Sequence, residues 1–471
     1  IFKRLFRRLN MIYLILFLAL ILRVVNLNQS LWFDESINVV YARSSDFWWF
    51  VTQYPIGDFH PPGWFALLWI WGHIFGFSEI AVRLPSVILG TATVGLTFLL
   101  GKELFNKRVG LWASLFMAIA PLHVYYSQEA RMYVFAAFSV TLSVYFLNRL
   151  ILNKKWASLG FMISLALVLY SDYLAYLIIP AQIIYLVWVK RLGKMALMSF
   201  VAVGLAFSPW LSIFFLQLQS GLNTAASLPG WNQVVGGGGL KDLMLIPLKT
   251  FFGRVNLVNK TLYLAIAGLV GVIFGSIFTF GLKKFDKSTK LLVCWLFIPL
   301  VLAFLVSLFV PILAYFRMIF ILPAFYLILG KGIESMSRKI STAAIILIGI
   351  VSVGSLFGYY SDSKFQREDW RGSVRFVSQN LDNQTLVIFE NNEIPAPVRY
   401  YSGDLSNFRP GLSENLVNNL VGKNKVFLFE YLVDIYDPER IVEQKLKNLR
   451  FTETNIYDFV GVGFVRAYTR L

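Results

Sequence analysis

The stretch MIYLILFLALILRVVNL at residues 11–27 decides the fold of this chain. It is almost wholly apolar, and its length is close to the roughly 20 residues that a helix needs to cross a bilayer. Comparable apolar runs recur along the chain near residues 82–101, 109–125, 133–150, 157–171, 174–189, 195–215, 261–282, 291–310, 318–333 and 341–358. These runs predict a polytopic α-helical membrane protein with about eleven transmembrane helices.

Composition and charge agree with a membrane protein. Of the 471 residues, 57% are hydrophobic and 15% are charged, whereas soluble domains carry about 25% charged residues. An ordinary soluble enzyme and a disordered protein are therefore excluded. A disulfide scaffold and a Cys/His zinc site are excluded too, because the chain has one cysteine, Cys294, and three histidines.

The net charge of +17 reflects topology rather than nucleic-acid binding. The excess of basic residues lies within residues 1–360, in short clusters between the apolar runs, beginning with Lys3, Arg4, Arg7 and Arg8. Such clusters mark the cytoplasmic ends of transmembrane helices. We therefore expect the N-terminus in the cytoplasm and residue 360 outside, in the plasma (inner) membrane of a bacterium, with no nucleic-acid partner.

The last part of the chain has the composition of a soluble domain. Residues 361–471 hold 14 basic and 15 acidic residues. Their pattern predicts helices near residues 370–380 and 438–448, and strands near residues 385–390, 425–431 and 462–469. We expect a transmembrane catalytic domain over residues 1–360 and a small extracytoplasmic α/β domain over residues 361–471.

Two long connections lie on the outer side. Residues 28–81 are rich in Trp and Phe, and the stretch 62–75 predicts an amphipathic helix in the membrane interface. Residues 216–260 include four consecutive glycines, Gly236–Gly239, which cannot hold one conformation cheaply. This connection is interpreted either as a mobile lid over a site or as a slack connector.

The first candidate set is Leu31-Trp32-Phe33-Asp34-Glu35-Ser36, just after the first helix. Two adjacent carboxylates among aromatic residues are costly to desolvate, and such surroundings raise a carboxyl pKa toward that of a general base. The alternative is an interfacial helix capped by Asp34, with Glu35 in its first turn.

Three further sets lie at the same predicted depth. Asp58 and His60 precede Pro61-Pro62 and could bind a substrate or metal, or simply form a rigid turn. Glu129, Arg131 and Tyr133 lie in or beside a short outer turn, and the alternative is an interfacial ion pair. Arg317 could bind a lipid phosphate, specifically or as a snorkelling headgroup contact.

Together these sets favour an acidic, aromatic site at the outer membrane surface with arginines available for phosphate. Aromatic faces and carboxylates suit sugars, and a lipid-linked sugar phosphate enters from the bilayer at this depth. A carboxylate can then serve as base for the acceptor hydroxyl. The sequence has no Walker motif and no dinucleotide glycine motif for a soluble nucleotide sugar.

Several of these motifs resemble one known class. They are Asp34-Glu35, His60-Pro61-Pro62-Gly63, Arg83-Leu84-Pro85-Ser86, the run from Pro121 to Tyr133, and Tyr315-Phe316-Arg317. In order and spacing they resemble the GT-C class of glycosyltransferases, most closely the protein O-mannosyltransferase-like group that includes the lipid A aminoarabinose transferases. The clearest motifs cover residues 30–150, and Asp369-Trp370-Arg371 also resembles this group.

The resemblance implies the GT-C fold, a polyprenyl- or dolichyl-phosphate-linked sugar donor, and an active site on the non-cytoplasmic face. It implies that Asp34 is the base, with Glu35 in support, and that transfer inverts the anomeric centre. It places Glu129 where an acid binds acceptor, donor phosphate or metal, and it assigns Arg317 to donor phosphate. The acceptor is a lipid, a glycan or a protein.

Some members of the class need a divalent cation and others do not. Asp34 and Glu129 could share Mg²⁺ or Mn²⁺, but three hard oxygen ligands are not evident in the sequence. Two other functions stay open beside the transferase: a transporter or flippase for a lipid-linked saccharide, and a polymerase or ligase that uses a diphosphate-linked glycan. Helices nearly free of charge argue against a transporter.

Overall fold

A computed structural model describes residues 11–227 and 239–470, and for residues 225–227 it describes the backbone alone. Its α-helices, in chain order, are Met11–Val24, Phe33–Ser44, Phe47–Thr52, Pro55–Asp58, Gly63–Phe75, Glu79–Leu104, Lys107–Ala118, Pro121–Ser127, Tyr133–Ile151, Ala157–Leu169, Ile178–Trp188, Lys194–Phe207, Leu211–Ser227, Leu240–Phe252, Lys260–Leu282, Lys287–Ser307, Leu322–Ser335, Arg338–Ser361, Trp370–Ser378, Ala396–Tyr401, Leu416–Asn419, Val433–Tyr436 and Ile441–Asn448. Short 3₁₀ helices are Leu174–Leu177, Ser208–Trp210, Ile319–Ile321 and Ser363–Phe365. The predicted fold class, a polytopic helical protein with a small C-terminal sheet, is confirmed.

Each predicted apolar run coincides with one helix or with joined helices. Six helical segments of the described chain are long and apolar enough to cross a bilayer, and a seventh forms if Lys107–Ala118 and Pro121–Ser127 make one broken span. Those two helices meet at 62°, because Pro121 has no N–H to continue the first helix and opens the second one instead. The number eleven itself stays a prediction. The basic cluster that predicts a cytoplasmic N-terminus lies within residues 1–10, outside the described part of the chain.

Small residues set the close approach of helices in the bundle. A Cβ added at Gly101 would lie 2.8 Å from the Cα of Gly110, so Glu79–Leu104 and Lys107–Ala118 touch backbone to backbone. Lipid tails are as apolar as side chains, so packing of this kind is a main source of helix association in membranes.

The outer connections differ from the sequence prediction. The first holds four helices, of which Gly63–Phe75 was expected and a helix beginning near Asp34 was left open as an alternative. Residues 216–260 are mostly helical, in Leu211–Ser227 and Leu240–Phe252, rather than one long loop. Both segments are apolar at helical spacing, which predicts helices, whereas the glycines between them favour a loop. Gly236 to Gly238, on which the lid interpretation rests, lie outside the described residues.

The C-terminal residues form a five-stranded mixed sheet. Its strands are β1 (Thr385–Phe389), β2 (Phe408–Pro410), β3 (Lys425–Phe429), β4 (Phe451–Phe459) and β5 (Gly463–Arg470), in the order β2-β1-β3-β5-β4. β1 is parallel to both β2 and β3, while β5 is antiparallel to β3 and β4. The expected strands near residues 385, 425 and 462 and both expected helices are present, whereas β2 and β4 were missed.

The sheet is covered on both faces. Val387 and Phe389 pack into one apolar cluster with Trp370, while Leu386 and Ile388 pack into another with Val442. Alternate residues of a strand point to opposite faces, and a strand buried on both faces is therefore apolar throughout. This explains the continuous run TLVIF in β1.

Candidate active site

The helix Phe33–Ser44 presents its acids in two directions. Its buried face consists of Glu35, Asn38, Val39 and Ala42, together with Ser36, at the spacing of one side of a helix. Successive helix residues are turned by about 100°. Asp34 is consequently turned off the buried face, and 37% of its side chain is exposed.

Glu35 is fully buried and clamped by Arg83. Its two carboxylate oxygens accept hydrogen bonds from the Arg83 Nε at 2.9 Å and Nη2 at 2.5 Å. The Ala130 N–H donates to the same carboxylate at 2.7 Å. Burial by itself would raise the pKa of Glu35, but the Arg83 guanidinium outweighs it and holds that pKa below its ordinary value. Every contact of Glu35 is structural, and its expected support of catalysis stays a prediction.

Asp34 has a much looser environment. Its closest cation is Arg131, with Nη2 3.7 Å from the Asp34 Oδ2. Burial raises the pKa of Asp34 above its ordinary value, since the lowering effect of Arg131 is smaller and Asp58 adds repulsion. Asp34 is thus an accessible carboxylate with increased proton affinity. Of the capping alternative, the helix and the place of Glu35 in its first turn are present, but Trp32 rather than Asp34 occupies the N-cap position.

Asp58 and His60 lie on the other side of Arg131. The Arg131 Nη1 donates to the Asp58 Oδ2 at 3.1 Å, and the His60 Nδ1 lies 2.6 Å from the Asp58 Oδ1. Burial opposes ionisation of Asp58, yet Arg131 and His60 together lower its pKa to about 2. Arg131 therefore links two predicted acids, Asp34 and Asp58, and Asp58 stays ionised at neutral pH.

Glu129 is held by a residue that the sequence did not single out. Its Oε2 accepts a hydrogen bond from the Arg367 Nη1 at 2.5 Å, and Arg367 also donates to the Tyr125 carbonyl at 3.1 Å. The Glu129 Oε1 is buried without a partner among the described atoms. Burial raises the pKa of Glu129, and Arg367 offsets only part of that rise. The expected role of Glu129 toward acceptor, phosphate or metal remains untested.

Arg317 and Tyr133 complete the predicted set. Arg317 donates from Nη1 to the Ile312 carbonyl at 3.1 Å, and its Nε is buried without a partner among the described atoms. Its charge acts on Asp34. The Tyr133 hydroxyl lies within electrostatic range of four predicted residues. These are Arg131, Glu129, Arg317 and Asp34. The predicted residues thus gather around one region, although only Asp34, Arg131, Asp58 and His60 are joined by direct contacts.

Glu368 was missed by the sequence analysis. It follows the last long helix and lies beside the start of the helix Phe33–Ser44, where its Oε2 accepts the Phe33 N–H at 3.0 Å. The same oxygen accepts the Trp370 Nε1–H at 2.7 Å. The resemblance of residues 369–371 to the transferase group was the one available signal, and it pointed to the neighbouring residues.

The described residues do not form a metal site. No group of three His, Cys, Asp or Glu side chains within residues 11–227 and 239–470 could hold an ion. Asp34 and Glu129, the predicted candidates, face Arg131 and Arg367 instead. Because a divalent cation needs several oxygen ligands, Asp34 and Glu129 do not fit one.

Two surface cavities lie away from the predicted site residues. One, of about 560 Å³, is lined by Arg43, Phe77, Ser78, Glu79, Arg371, Tyr400 and Tyr401. The other, of about 450 Å³, is lined by Ile56, Leu216, Gln219, Ser220, Asn223 and Thr224. None of the predicted site residues lines either of them.

Comparison with solved structures identifies the architecture. ArnT from Cupriavidus metallidurans in the apo state aligns over 98% of this chain and 97% of its own, with a TM-score of 0.60 and 11% identity. The same protein bound to undecaprenyl phosphate gives a TM-score of 0.57, also at 11% identity, over 98% of each chain. The chain has the GT-C fold.

A third structure and a family model agree with this GT-C fold. The Archaeoglobus fulgidus oligosaccharyltransferase, in complex with Zn and sulfate, aligns over 98% of this chain and 73% of its own, at a TM-score of 0.52 and 14% identity. The family model described as dolichyl-phosphate-mannose-protein mannosyltransferase matches residues 59–213. No curated protein sequence matches the chain. The predicted resemblance to the GT-C class is confirmed.

Proposed function

We propose that this GT-C protein is a membrane glycosyltransferase. It transfers a sugar from a polyprenyl-phosphate-linked donor to an acceptor on the extracytoplasmic side, with Asp34 as general base. The matching family model carries the name of a mannosyltransferase. Two proteins of similar fold have solved structures with lipid phosphates, one bound to undecaprenyl phosphate and one in complex with a dolichol-phosphate.

One observation carries the assignment of Asp34. Of the four predicted carboxylates, Asp34 alone combines a partly exposed side chain with a raised pKa and a loose ion pair. Glu35 and Asp58 have lowered pKa values and are held by arginines. Glu129 is 1% exposed and bonded to Arg367. A general base must reach the substrate and have appreciable proton affinity, and Asp34 meets both requirements.

The proposed reaction is a single displacement. The acceptor hydroxyl gives its proton to the Asp34 carboxylate while its oxygen forms a bond to the anomeric carbon of the donor sugar. The bond from that carbon to the phosphate oxygen breaks, and its electron pair leaves with polyprenyl phosphate. Attack from the face opposite the leaving group inverts the anomeric configuration.

Positive charge is available for the departing phosphate. Arg317 has a buried Nε without a partner among the described atoms, and Arg254 donates to the Tyr315 hydroxyl at 3.1 Å. Arg254 thus contacts the segment Tyr315-Phe316-Arg317 two residues before Arg317. A guanidinium binds phosphate oxygens with charge-assisted hydrogen bonds. We assign Arg317 to the donor phosphate, with Arg254 as its neighbour.

The remaining predicted residues act in binding. Arg131 holds Asp34 and Asp58 in place, and the pair of Asp58 with His60 borders the same region. Glu129 and Tyr133 lie on the side of the short outer turn. We propose the inner membrane as the location, a catalytic domain over residues 1–360 and an extracytoplasmic domain over residues 361–471. Lipid, glycan and protein acceptors are all compatible with this site.

The test uses purified protein in liposomes with radiolabelled polyprenyl-phosphate mannose and polyprenyl-phosphate pentose as donors. Cell-envelope lipid, glycan and protein fractions serve as acceptors. Transfer predicts release of unlabelled polyprenyl phosphate and movement of label into one acceptor fraction. Movement of intact donor between leaflets without bond cleavage would indicate a flippase. Turnover of diphosphate-linked glycans only would indicate a polymerase or ligase.

A further inference from the structure

The segment from Arg367 to Arg371 ties the C-terminal domain to the predicted site. It contacts the first outer connection at three separate points. The Arg367 N–H donates to the Gln29 side chain at 3.0 Å, and the Arg371 N–H donates to the Ser30 Oγ at 3.0 Å. Between these two points, Glu368 reaches the helix that bears Asp34.

Glu368 occupies a specific place at the start of that helix. The first N–H groups of a helix have no partner within the helix and need an external acceptor. Trp32, at the N-cap, offers no side-chain acceptor. Glu35 accepts the Trp32 N–H at 3.3 Å, and Glu368 accepts the next one, that of Phe33, at 3.0 Å. The residue after Phe33 is Asp34.

Glu368 is itself held firmly. Trp370 donates to its Oε2 at 2.7 Å, and the Tyr431 hydroxyl lies 3.2 Å from its Oε1. The Tyr431 ring also packs against Phe33, with ring centroids 5.2 Å apart. Two parts of the C-terminal domain therefore fix one carboxylate against the first turn of the helix, and a rigid acceptor gives a rigid turn.

We propose that Glu368 is a positioning residue for the reaction: as the acceptor of the Phe33 N–H, it fixes the helix turn that carries Asp34. This inference rests on the proposed function and gives the C-terminal domain a part in the same site. The domain would then complete the active site rather than only cover it.

Electrostatics agree with this geometry. Burial raises the pKa of Glu368 to about 7, and Asp34 adds to the rise, while the bonds from Trp370, Phe33 and Tyr431 oppose it. Glu368 is therefore largely protonated below neutral pH, where its carboxyl oxygen still accepts the Phe33 N–H, so the positioning role does not depend on its charge. The charged groups that act on Asp34 are Arg131, Asp58, His60 and Arg317, and none of them changes in the variants below.

Two substitutions separate positioning from simple docking of the domain. Glu368→Gln keeps an oxygen for the Phe33 and Trp370 N–H groups but removes the charge. Glu368→Ala removes the acceptor altogether. Glu453→Gln is the matched control, since it makes the same change at an ion pair with Arg466 on the sheet.

The first measurement needs no activity. Hydrogen–deuterium exchange of the peptide that covers residues 33–41 reports the stability of the helix turn directly. Glu368→Ala should increase exchange there, while Glu368→Gln and Glu453→Gln should match the wild type. Wild-type exchange in Glu368→Ala would overturn the proposal. If Glu368→Ala does not fold as a monodisperse protein, the activity of Glu368→Gln decides the proposal: kcat near the wild-type value supports it, and a large loss of kcat contradicts it.

The second measurement is transfer of radiolabelled sugar from the polyprenyl-phosphate donor that the wild type uses. Glu368→Ala should lower kcat about tenfold or more with little change in KM. Glu368→Gln keeps the acceptor oxygen, so its kcat should stay near the wild-type value and the acid limb of its pH profile should not move. Wild-type kcat in folded Glu368→Ala, or a loss in Glu368→Gln as large as that expected for Glu368→Ala, would overturn the proposal. If the wild type itself shows no transfer, the proposed function fails. The exchange measurement still tests whether Glu368 stabilises the helix turn, because it needs no activity.

Discussion

Asp34 and Glu35 are neighbours in the chain with opposite environments. Glu35 is enclosed by Arg83 and the Ala130 N–H, while Asp34 meets Arg131 at 3.7 Å and keeps part of its surface exposed. The difference arises because adjacent helix residues point about 100° apart. At the scale of single residues, position on the helix decides which carboxylate can exchange a proton with a substrate.

The raised pKa of Asp34 predicts the pH dependence of transfer. The base is active when deprotonated, so kcat should fall as the pH decreases through the pKa of Asp34. That limb should lie above the ordinary aspartate value of about 3.9. Asp58, with a pKa of about 2, does not titrate there. The check is kcat against pH with saturating donor in liposomes, and a rate that stays flat down to about pH 4 would contradict the assignment.

The buried pair of Glu35 and Arg83 predicts a loss of stability. Glu35→Gln leaves the Arg83 guanidinium, 1% exposed, without its counter-charge. Removal of one partner of a buried pair costs about 3–5 kcal/mol of folding free energy. The midpoint of thermal unfolding in detergent should therefore decrease clearly.

Asp46→Asn is the control for this experiment. Asp46 is an exposed N-cap that accepts the Trp49 N–H at 3.0 Å, and Asn caps a helix about as well as Asp. Its unfolding midpoint should match that of the wild type. An unchanged midpoint for Glu35→Gln would mean that the pair does not hold the first outer connection.

At the scale of elements, apolar length was the most informative signal in the sequence. Every predicted span coincides with helical structure, because the bilayer requires about 20 apolar residues with internally satisfied backbone groups. The small helices of the first outer connection escaped prediction. These helices are short and aromatic, and their stability comes from tertiary packing. Phe50 and Phe65, for example, pack with their ring centroids 5.6 Å apart.

The site was partly predictable for a related reason. Motif residues such as Asp34, Asp58 and Arg131 could be named from the chain because they stand out at the membrane boundary. Their partners could not, since Arg367 and Glu129 lie 238 residues apart in sequence. Nothing in a local pattern reveals a contact of that separation, and the same holds for Glu368 and Phe33.

The link between the short outer turn and the C-terminal domain predicts a change in docking. Arg367→Ala removes the 2.5 Å bond to Glu129 and the stacking on Tyr125, whose ring centroid lies 3.8 Å from the guanidinium carbon. The segment between residues 361 and 385 should then become more sensitive to limited proteolysis. Arg375→Ala, an exposed position on the helix Trp370–Ser378, serves as control. Equal cleavage of both variants would show that Arg367 does not fasten the domain.

At the scale of the whole molecule, charge distribution and fold together predict sidedness. The positive-inside rule predicts that the basic clusters lie in the cytoplasm and that the C-terminal sheet lies outside. The C-terminal domain contacts the first outer connection through Glu368 and Arg371, which precede the sheet in the chain, so the domain and this connection must lie on one side of the membrane. The orientation of the site thus depends on the orientation of the sheet.

Cysteine labelling tests that orientation. Cys294 is buried, so the wild-type chain should give little labelling of its own. A membrane-impermeant maleimide should label Glu414→Cys, exposed on the C-terminal domain, when intact spheroplasts are treated. Lys154→Cys, exposed at a predicted cytoplasmic loop, should be labelled only after lysis. The reverse pattern would place the site on the cytoplasmic side and exclude the proposed arrangement.

The most direct test of the whole account is turnover by purified Asp34→Asn on the polyprenyl-phosphate sugar, with donor binding measured in the same preparation. We predict that kcat falls by about 100- to 10,000-fold, the contribution of a general base, while donor binding and the unfolding midpoint match those of the wild type and of Asp46→Asn. Near wild-type turnover by folded Asp34→Asn would contradict the account, because no other predicted carboxylate combines exposure with a raised pKa.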